Sequence, residues 1–498
     1  MPADPRATCI IGVARRTWHP SDTPGGAPEP LAMWEQMARD AAADTGTADP
    51  SAVLAGLQSI DVVYSQSWQY DDAVARLSES LGASPARRRY SGIGGSVPLV
   101  LATEVARDVR AGDLDLALIT GAEALATVRS LKKAGEKPQW SFPPEEKRRF
   151  PMDMDFDPSE ITHAVFEAYL TFALFDNARR AHLGRDLDAH RDQLGRVLAP
   201  MTAIAAASPH AWFPIARSGD EIVTASPDNR MVSYPYTKLM TSIMDVDMAA
   251  ALVLASAAKA DALEVPEERR VYLRGAAYAE DPVHVAGHPE LWRSPAMAAA
   301  ADAALAGAGI GADDVAHLDL YSCFASSVCF ALDALGISED DTRAVTQTGG
   351  LPYHGGPGSN YMTHALAAMV ETLRSEPGSY GVTSGVGMHM QKHAYGVWST
   401  DPGAGPMADV TPAAPAAEPL AIVESPEGKA TVATYTVLHG RDGNPERAVL
   451  ICDLPGGGRC YALLDGGATA LAGSEADELI GRNVTLTPTD GVNHASLD

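Results

Sequence analysis

Two short segments carry side chains suited to moving protons. Tyr321-Ser-Cys-Phe324 ends an apolar run, and Gly349-Gly-Leu-Pro-Tyr-His-Gly-Gly-Pro357 sets Tyr353 and His354 in a glycine-rich loop. A tyrosine hydroxyl donates to a developing oxyanion and an imidazole accepts a proton, so Tyr321, Tyr353 and His354 are the candidate catalytic residues. Each also has a plainer reading, as a core side chain whose polar atom is satisfied. His389 and His393 read as structural hydrogen-bonders. Ser91-Gly-Ile-Gly-Gly-Ser96 is a glycine turn that feeds a helix. Amides at Gly94, Gly95 and Ser96 would hold an anion or oxyanion at that helix start, or merely form a tight turn.

Charge adds a fifth feature. The 498 residues hold 38 lysines and arginines against 64 aspartates and glutamates, a net charge of −26. Such a field repels nucleic acid and anionic membranes, so neither is expected as a partner. Yet Arg129, Lys132, Lys133, Lys137, Lys147, Arg148 and Arg149 form a cationic island with Trp140 and Phe142 inside it. Lys132, Lys133, Trp140, Arg148 and Arg149 are candidates for holding phosphates and a stacked ring. The alternative is a solvated loop balancing Asp153, Asp155 and Asp157. Five cysteines without a C-x-x-C pair or neighbouring histidines argue for reduced, buried thiols and against a metal site.

These residues must be positioned by alternating strands and helices, an α/β layered pattern. Short apolar strands are predicted at 8–14, 60–65 and 115–121, then at 271–277, 317–321 and 380–385. Helices are predicted at 97–109, 296–306 and 360–374, with another led by Phe324. A glycine turn follows the second strand of each half at a similar distance, which suggests an internal duplication. Asp157-Pro-Ser-Glu160 is a helix start, and the helix is expected to run on with a stripe at Phe166, Tyr169, Leu170, Ala173 and Leu174. Residues 401–427 are rich in proline, alanine and glycine and read as a linker. The last 70 or so residues alternate as short strands, with a hairpin at Asp442-Gly443, and suit a small antiparallel barrel. No segment is long and apolar enough to span a membrane, and no secretory leader is visible, so a cytoplasmic location is expected.

With the elements in order, the chain resembles the thiolase superfamily, in particular the sterol-carrier-protein-thiolase-like branch and its type 1 thiolase-like proteins. The resemblance covers roughly residues 7–400. Its marks are Ala111-Gly-Asp-Leu-Asp-Leu-Ala-Leu-Ile-Thr-Gly-Ala-Glu123, Asp247-Met-Ala-Ala-Ala251, Tyr321-Ser-Cys-Phe324 and Gly349–Pro357. It implies a thiolase fold, a duplicated βαβαβ in five αβαβα layers, with a C-terminal antiparallel OB-like β-barrel added. Residues 1–125 and 241–265 would form the N-terminal half, 126–240 a loop domain and 266–400 the C-terminal half. The linker at 401–427 would lead to the barrel at 428–498.

The resemblance also places three thiolase catalytic positions, and none keeps its residue. The nucleophilic cysteine falls on Gly95, the activating histidine on Gly356 and the second cysteine on Thr383. Coenzyme A is the implied ligand, as a substrate moiety and not a resident cofactor. The expected function is non-covalent C–C chemistry on a CoA thioester, possible in the retro-aldol direction with tyrosines. The alternatives are a non-catalytic acyl-CoA binder or scaffold, and a conventional acetyl-CoA acetyltransferase using Cys323. A homodimer or a monomer would each fit.

Overall fold

The computed structural model describes residues 3–151, 156–403 and 418–498; most of the expected linker, with Asp153 and Asp155, lies outside the described residues. In chain order the strands are β1 (Thr8–Thr17), β2 (Ser59–Val62), β3 (Arg87–Tyr90), β4 (Leu116–Ala124), β5 (Met231–Ser233) and β6 (Tyr236–Thr237). Next come β7 (Asp247–Ser256), β8 (Val271–Glu280), β9 (Val315–Asp319), β10 (Tyr380–Gly387) and β11 (Lys392–Ser399). The chain ends with β12 (Gly428–His439), β13 (Pro445–Asp453), β14 (Arg459–Leu464), β15 (Asn483–Thr489) and β16 (Val492–Leu497). Seven helices matter below: α1 (Pro30–Asp44), α2 (Val97–Ala111), α3 (Ala168–His182), α4 (Leu187–Ala207), α5 (Pro295–Ala308), α6 (Ala325–Leu335) and α7 (Tyr361–Ser375).

A nine-stranded sheet runs β3-β2-β4-β7-β1-β8-β11-β10-β9. Read outward from the β1–β8 seam, its two sides are alike. Each seam strand pairs antiparallel with β7 or β11, each of these pairs antiparallel with β4 or β10, and a parallel β2 or β9 follows. The duplication inferred from the glycine turns is thus present in the strand order. The seam itself is short, with Cys9 opposite Tyr272 and Ile10 opposite Val271. Strands buried on both faces need helices on both sides. Every residue of β7 is buried, as its unbroken Ala249–Ala255 run requires. Helix α1 covers β1, β4 and β7 from outside, and α5 does the same for β8 and β11. Helices α2 and α7 touch each other and strands of both halves, which makes them the middle of the five layers.

Helix α2 starts where the sequence places it, with Pro98 in its first turn and Gly112 ending it at φ 87°. The helix expected after Asp157 is instead broken. Asp157 and Glu160 form a capping box over Pro158–Thr162, Ala164 then takes φ 52°, and α3 begins only at Ala168. The break has a tertiary cause. The Glu160 carboxylate accepts from the Tyr461 hydroxyl at 2.8 Å and pairs with His284 at 2.9 Å, which ties this short turn to the barrel. Phe166 is left outside the helix and exposed, while Leu170, Ala173 and Leu174 are buried.

Strands β13-β14-β16-β15-β12 close into a barrel through a β12–β13 pairing. Four of its strands match the sequence reading, and β16 was missed. The sheet then continues onto the β5–β6 hairpin, which pairs Ser233 with Leu438. Along β13 the side chains alternate between two cores: Ala448, Leu450 and Cys452 fill the barrel, while Val449 and Ile451 join the main hydrophobic cluster of the body. Arg447 donates to the His163 and Ala164 carbonyls at 2.9 Å, and the Thr434 hydroxyl to the Leu174 carbonyl at 2.6 Å. Asn177 Nδ2 donates to the Tyr435 carbonyl at 2.9 Å.

The barrel and body are therefore expected to unfold together, in one calorimetric transition with matching calorimetric and van't Hoff enthalpies. Two resolved transitions would contradict the shared core. Tyr461→Phe removes one donor from a buried carboxylate and should cost about 1–3 kcal/mol in denaturant unfolding.

Candidate functional site

The site forms where carboxyl ends of parallel strands from the two halves meet, the usual place for chemistry in α/β sheets. After β3 the chain makes the Ser91–Ser96 turn and enters α2; after β9 it reaches Tyr321 and enters α6. The two come into contact. A side chain at Gly95 would overlap the Tyr321 hydroxyl and the Val386 carbonyl, so only glycine fits there. Tyr321 is held by its backbone: its amide donates to Ser384 Oγ at 3.0 Å, and its carbonyl accepts from the Ser327 hydroxyl. Its own hydroxyl has no hydrogen-bond partner among the described residues, and the residue is 6% exposed. Burial holds the phenol well above its ordinary pKa, so it is protonated.

Facing that hydroxyl is the uncapped start of α2. Gly94 takes φ 145° and its amide donates to Ser359 Oγ at 3.0 Å. Ser96 makes no side-chain cap, and no hydrogen bond engages the Gly95 or Ser96 amide among the described residues. Gly385 and Gly387 of β10 let that strand approach Ser96 closely. Gly94, Gly95, Ser96 and Tyr321 are therefore brought together, as an amide cradle with one hydroxyl above it.

His354 is placed one ring further away. The Tyr361 ring stands between, edge-on to Tyr321 at 5.7 Å between centroids and to His354 at 6.1 Å. Tyr361 shares a hydrogen bond with the Thr348 hydroxyl at 2.7 Å and lies 3.4 Å from Asp319 Oδ1. His354 is fully buried, with Nε2 3.4 Å from His364 Nδ1, and burial pushes both imidazoles well below their ordinary pKa. Tyr353 is 2% exposed and its hydroxyl has no partner among the described residues. Nor do Asn360 Oδ1 and Nδ2, Thr363 Oγ1 or His364 Nε2. Unpaired buried polar atoms also occur away from the site, at Trp34 Nε1 and the Tyr435 hydroxyl among others. Sequence reasoning missed Asn360, Tyr361, Thr363 and His364. Their signal was a polar stripe at i, i+3 and i+4 on a helix otherwise apolar as far as Val370.

The remaining candidates sit elsewhere. Gly356 is buried, where a Cβ would come 2.6 Å from Ser242 Oγ. Thr383 lies inside β10, accepting from Trp398 Nε1 at 2.9 Å, and it is Val386 that reaches Gly95. Lys132, Lys133, Arg148 and Arg149 are exposed, and Trp140 packs against Trp68 at 5.6 Å. His393 is a structural hydrogen-bonder, 3.1 Å from both Asp281 and Ser294. A cavity of about 510 Å³ lies apart from all of these, between α4 and the barrel, lined by Asp188, Arg191, Tyr234 and Glu475 among others.

Two buried carboxylates organise the loops around the cradle. Asp319 accepts from the Gln347 amide at 2.7 Å, the Thr348 amide at 3.3 Å and the Thr346 hydroxyl at 3.0 Å, so the 344–350 segment takes side-chain bonds in place of a strand ladder. Glu123, at the end of β4, accepts from the Gln66 amide at 2.8 Å, the Ser67 amide at 3.0 Å and the Ser67 hydroxyl. Gly358, at φ 55°, abuts it, with a Cβ position 2.6 Å from Glu123 Oε1.

Comparison with known proteins bears on the family and the fold. Residues 409–491 match the family model for the thiolase-like protein type 1 additional C-terminal domain. The crystal structure of a monomeric SCP2-thiolase-like protein type 1 from Mycobacterium smegmatis aligns over 100% of both chains, with 31% identity and a TM-score of 0.85. This chain belongs to the SCP2-thiolase-like type 1 proteins. More distant structures share the thiolase fold alone. An acetyl-CoA acetyltransferase from Syntrophomonas wolfei covers 79% of this chain and 99% of its own, at 16% identity and TM-score 0.57. The Ltp2-ChsH2(DUF35) aldolase covers 79% and 98%, at 16% and 0.59. A search of curated proteins returned no match. In this type 1 protein no described helix is long and apolar enough to cross a membrane.

Glu123 offers a pH test. Burial outweighs its hydrogen bonds and pushes the carboxyl from 4.5 up to about 7. An acid raised in the folded state stabilises fully below its unfolded pKa, and that contribution is lost as pH rises through the folded value. The full shift corresponds to about 3 kcal/mol at most. Glu123→Gln should match the wild type at pH 5 and exceed it at pH 8 in urea midpoint. Equal midpoints at pH 8 would show that the carboxylate is as well accommodated as the acid.

Proposed function

We propose that this type 1 protein binds a CoA thioester at the Gly94–Ser96 cradle and cleaves a C–C bond without an acyl-enzyme. The observation that carries the reading is the Tyr321 hydroxyl standing over Gly95, where the resemblance to thiolases calls for a cysteine. In the retro-aldol direction, a 3-hydroxyacyl thioester loses its hydroxyl proton to a base and its C2–C3 bond breaks. A carbonyl product leaves, and the enolate oxygen of the shortened thioester takes hydrogen bonds from the free amides and Tyr321. Protonation at C2 completes the reaction. Burial keeps the Tyr321 phenol protonated, so it serves as the donor. An aldolase among the structures of the same fold supports the reaction class.

The conventional acetyltransferase reading is opposed by Cys323. Its thiol is 9% exposed and burial pushes it up to about 12, the reverse of an activated nucleophile. A non-catalytic acyl-CoA binder is favoured by the depth of Tyr353 and His354. The two are separated by turnover. Tyr321→Phe should lower carbonyl release from a 3-hydroxyacyl-CoA by about 100-fold or more, with the CoA-induced rise in Tm retained. Unchanged turnover removes Tyr321 from the mechanism; no turnover in the wild type with a clear CoA shift establishes the binder. Gly95→Cys should lower Tm and acquire no thiolysis activity, because the new side chain collides with Tyr321 and Val386. Thiolysis in that variant would mean Tyr321 swings aside.

A further inference from the structure

The cations between Arg129 and Arg149 are arranged as an open surface. Arg129 pairs with Asp245, and Arg148 donates to the Asp71 carbonyl. Lys132, Lys133, Lys137, Lys147 and Arg149 are exposed and have no ion pair among the described residues. Many arginines elsewhere are matched to carboxylates, among them Arg76, Arg87, Arg89, Arg179 and Arg374. The 129–149 stretch holds seven basic residues against Glu136, Glu145 and Glu146, so it is locally positive on a chain of net charge −26. Phe142 and Phe150 lie within and beside it, each 43% exposed.

The patch is also rigidly mounted. Trp68 Nε1 donates to the Ser141 carbonyl at 3.0 Å, and the Ser141 amide and hydroxyl both donate to Glu29 at 2.8 Å. The Asp71 amide donates to the Phe142 carbonyl at 2.9 Å, and the Arg76 guanidinium lies 4.3 Å over the Phe142 ring. Gln69 and the Arg148 backbone exchange two hydrogen bonds of 3.0 Å. The far end of the loop connects through Tyr64 to the start of the glycine turn. Phe150 packs edge-on against Tyr64, whose amide donates at 2.9 Å to Ser91, the first residue of the glycine turn.

A free small molecule is normally engulfed in a concave pocket, whereas exposed aromatic rings on an open, locally positive face suit a partner protein of opposite charge. We infer that the 129–150 surface docks a small acidic protein that carries its acyl group as a thioester on a phosphopantetheine arm, and directs that arm into the Gly94–Ser96 cradle. The inference rests on the thioester reading above, since phosphopantetheine is the reacting half of CoA. Opposite charge would steer the partner to this face and set its orientation, the phenylalanines would anchor it, and the preformed loop keeps the ordering cost low.

The test uses the full chain and four probes: an acyl-loaded acidic carrier protein, acetyl-CoA, a DNA duplex and phosphatidylglycerol vesicles. The carrier should bind at about 25 mM salt and weaken about tenfold or more by about 250 mM. Lys137→Glu/Lys147→Glu should weaken carrier binding about tenfold at low salt while leaving the acetyl-CoA thermal shift unchanged. No carrier binding at low salt overturns the inference, as does binding of the duplex or vesicles in preference to the carrier. Equal losses for carrier and acetyl-CoA also overturn it, by assigning the lysines to CoA phosphates. The two readings fail separately. A CoA shift without carrier binding defeats the surface alone, and carrier binding without any CoA shift defeats CoA as the ligand of the cradle.

Discussion

Gly95 and Tyr321 exclude one another's alternatives, and the site is built around that exclusion. Gly95 arrives from the N-terminal half at the head of α2, Tyr321 and Val386 from the C-terminal half. Their contact leaves no room for a Cβ at position 95, so a side-chain nucleophile there and the present Tyr321 position cannot coexist. Beside that glycine stands a hydroxyl that burial keeps protonated, at the uncapped start of α2. Such a group donates hydrogen bonds.

Buried carboxylates hold the scaffold around the site. Asp319 and Glu123 are buried and surrounded by donors, and each fastens a loop that would otherwise have no ladder to bind its amides. At the start of α7, Asn360, Thr363 and His364 carry polar atoms with no partner among the described residues, as do Trp34 and Tyr435 away from the site. The barrel belongs with the scaffold. Its outward residues Val449, Ile451 and Tyr461 lie in the same cluster as the body's core, and the β5–β6 hairpin extends its sheet.

Much of this was legible from residue types. The doubled strand order, the glycine turn before α2, the capped start at Asp157 and four barrel strands follow from periodicity and turn chemistry, which act over a few residues. Tyr321 and the Gly94–Ser96 turn were recognisable as candidates for the same reason. The broken helix before α3 was not legible, because what breaks it is Tyr461, about three hundred residues downstream, capturing Glu160. Tyr361 and the stripe on α7 were passed over because a buried helix hides polar residues among apolar ones.

The sequence alone determined that no cysteine lies between Cys9 and Cys323, that a glycine turn opens α2 and that a cationic stretch interrupts an acidic chain. These are matters of composition and local geometry. Only the tertiary structure decided that Tyr321 fills the space at Gly95, that Tyr361 separates it from His354, and that the cations stand in the open. Each depends on where two halves of the chain meet. That meeting is set by packing α2 and α7 between the half-sheets, a long-range constraint that no local spacing encodes.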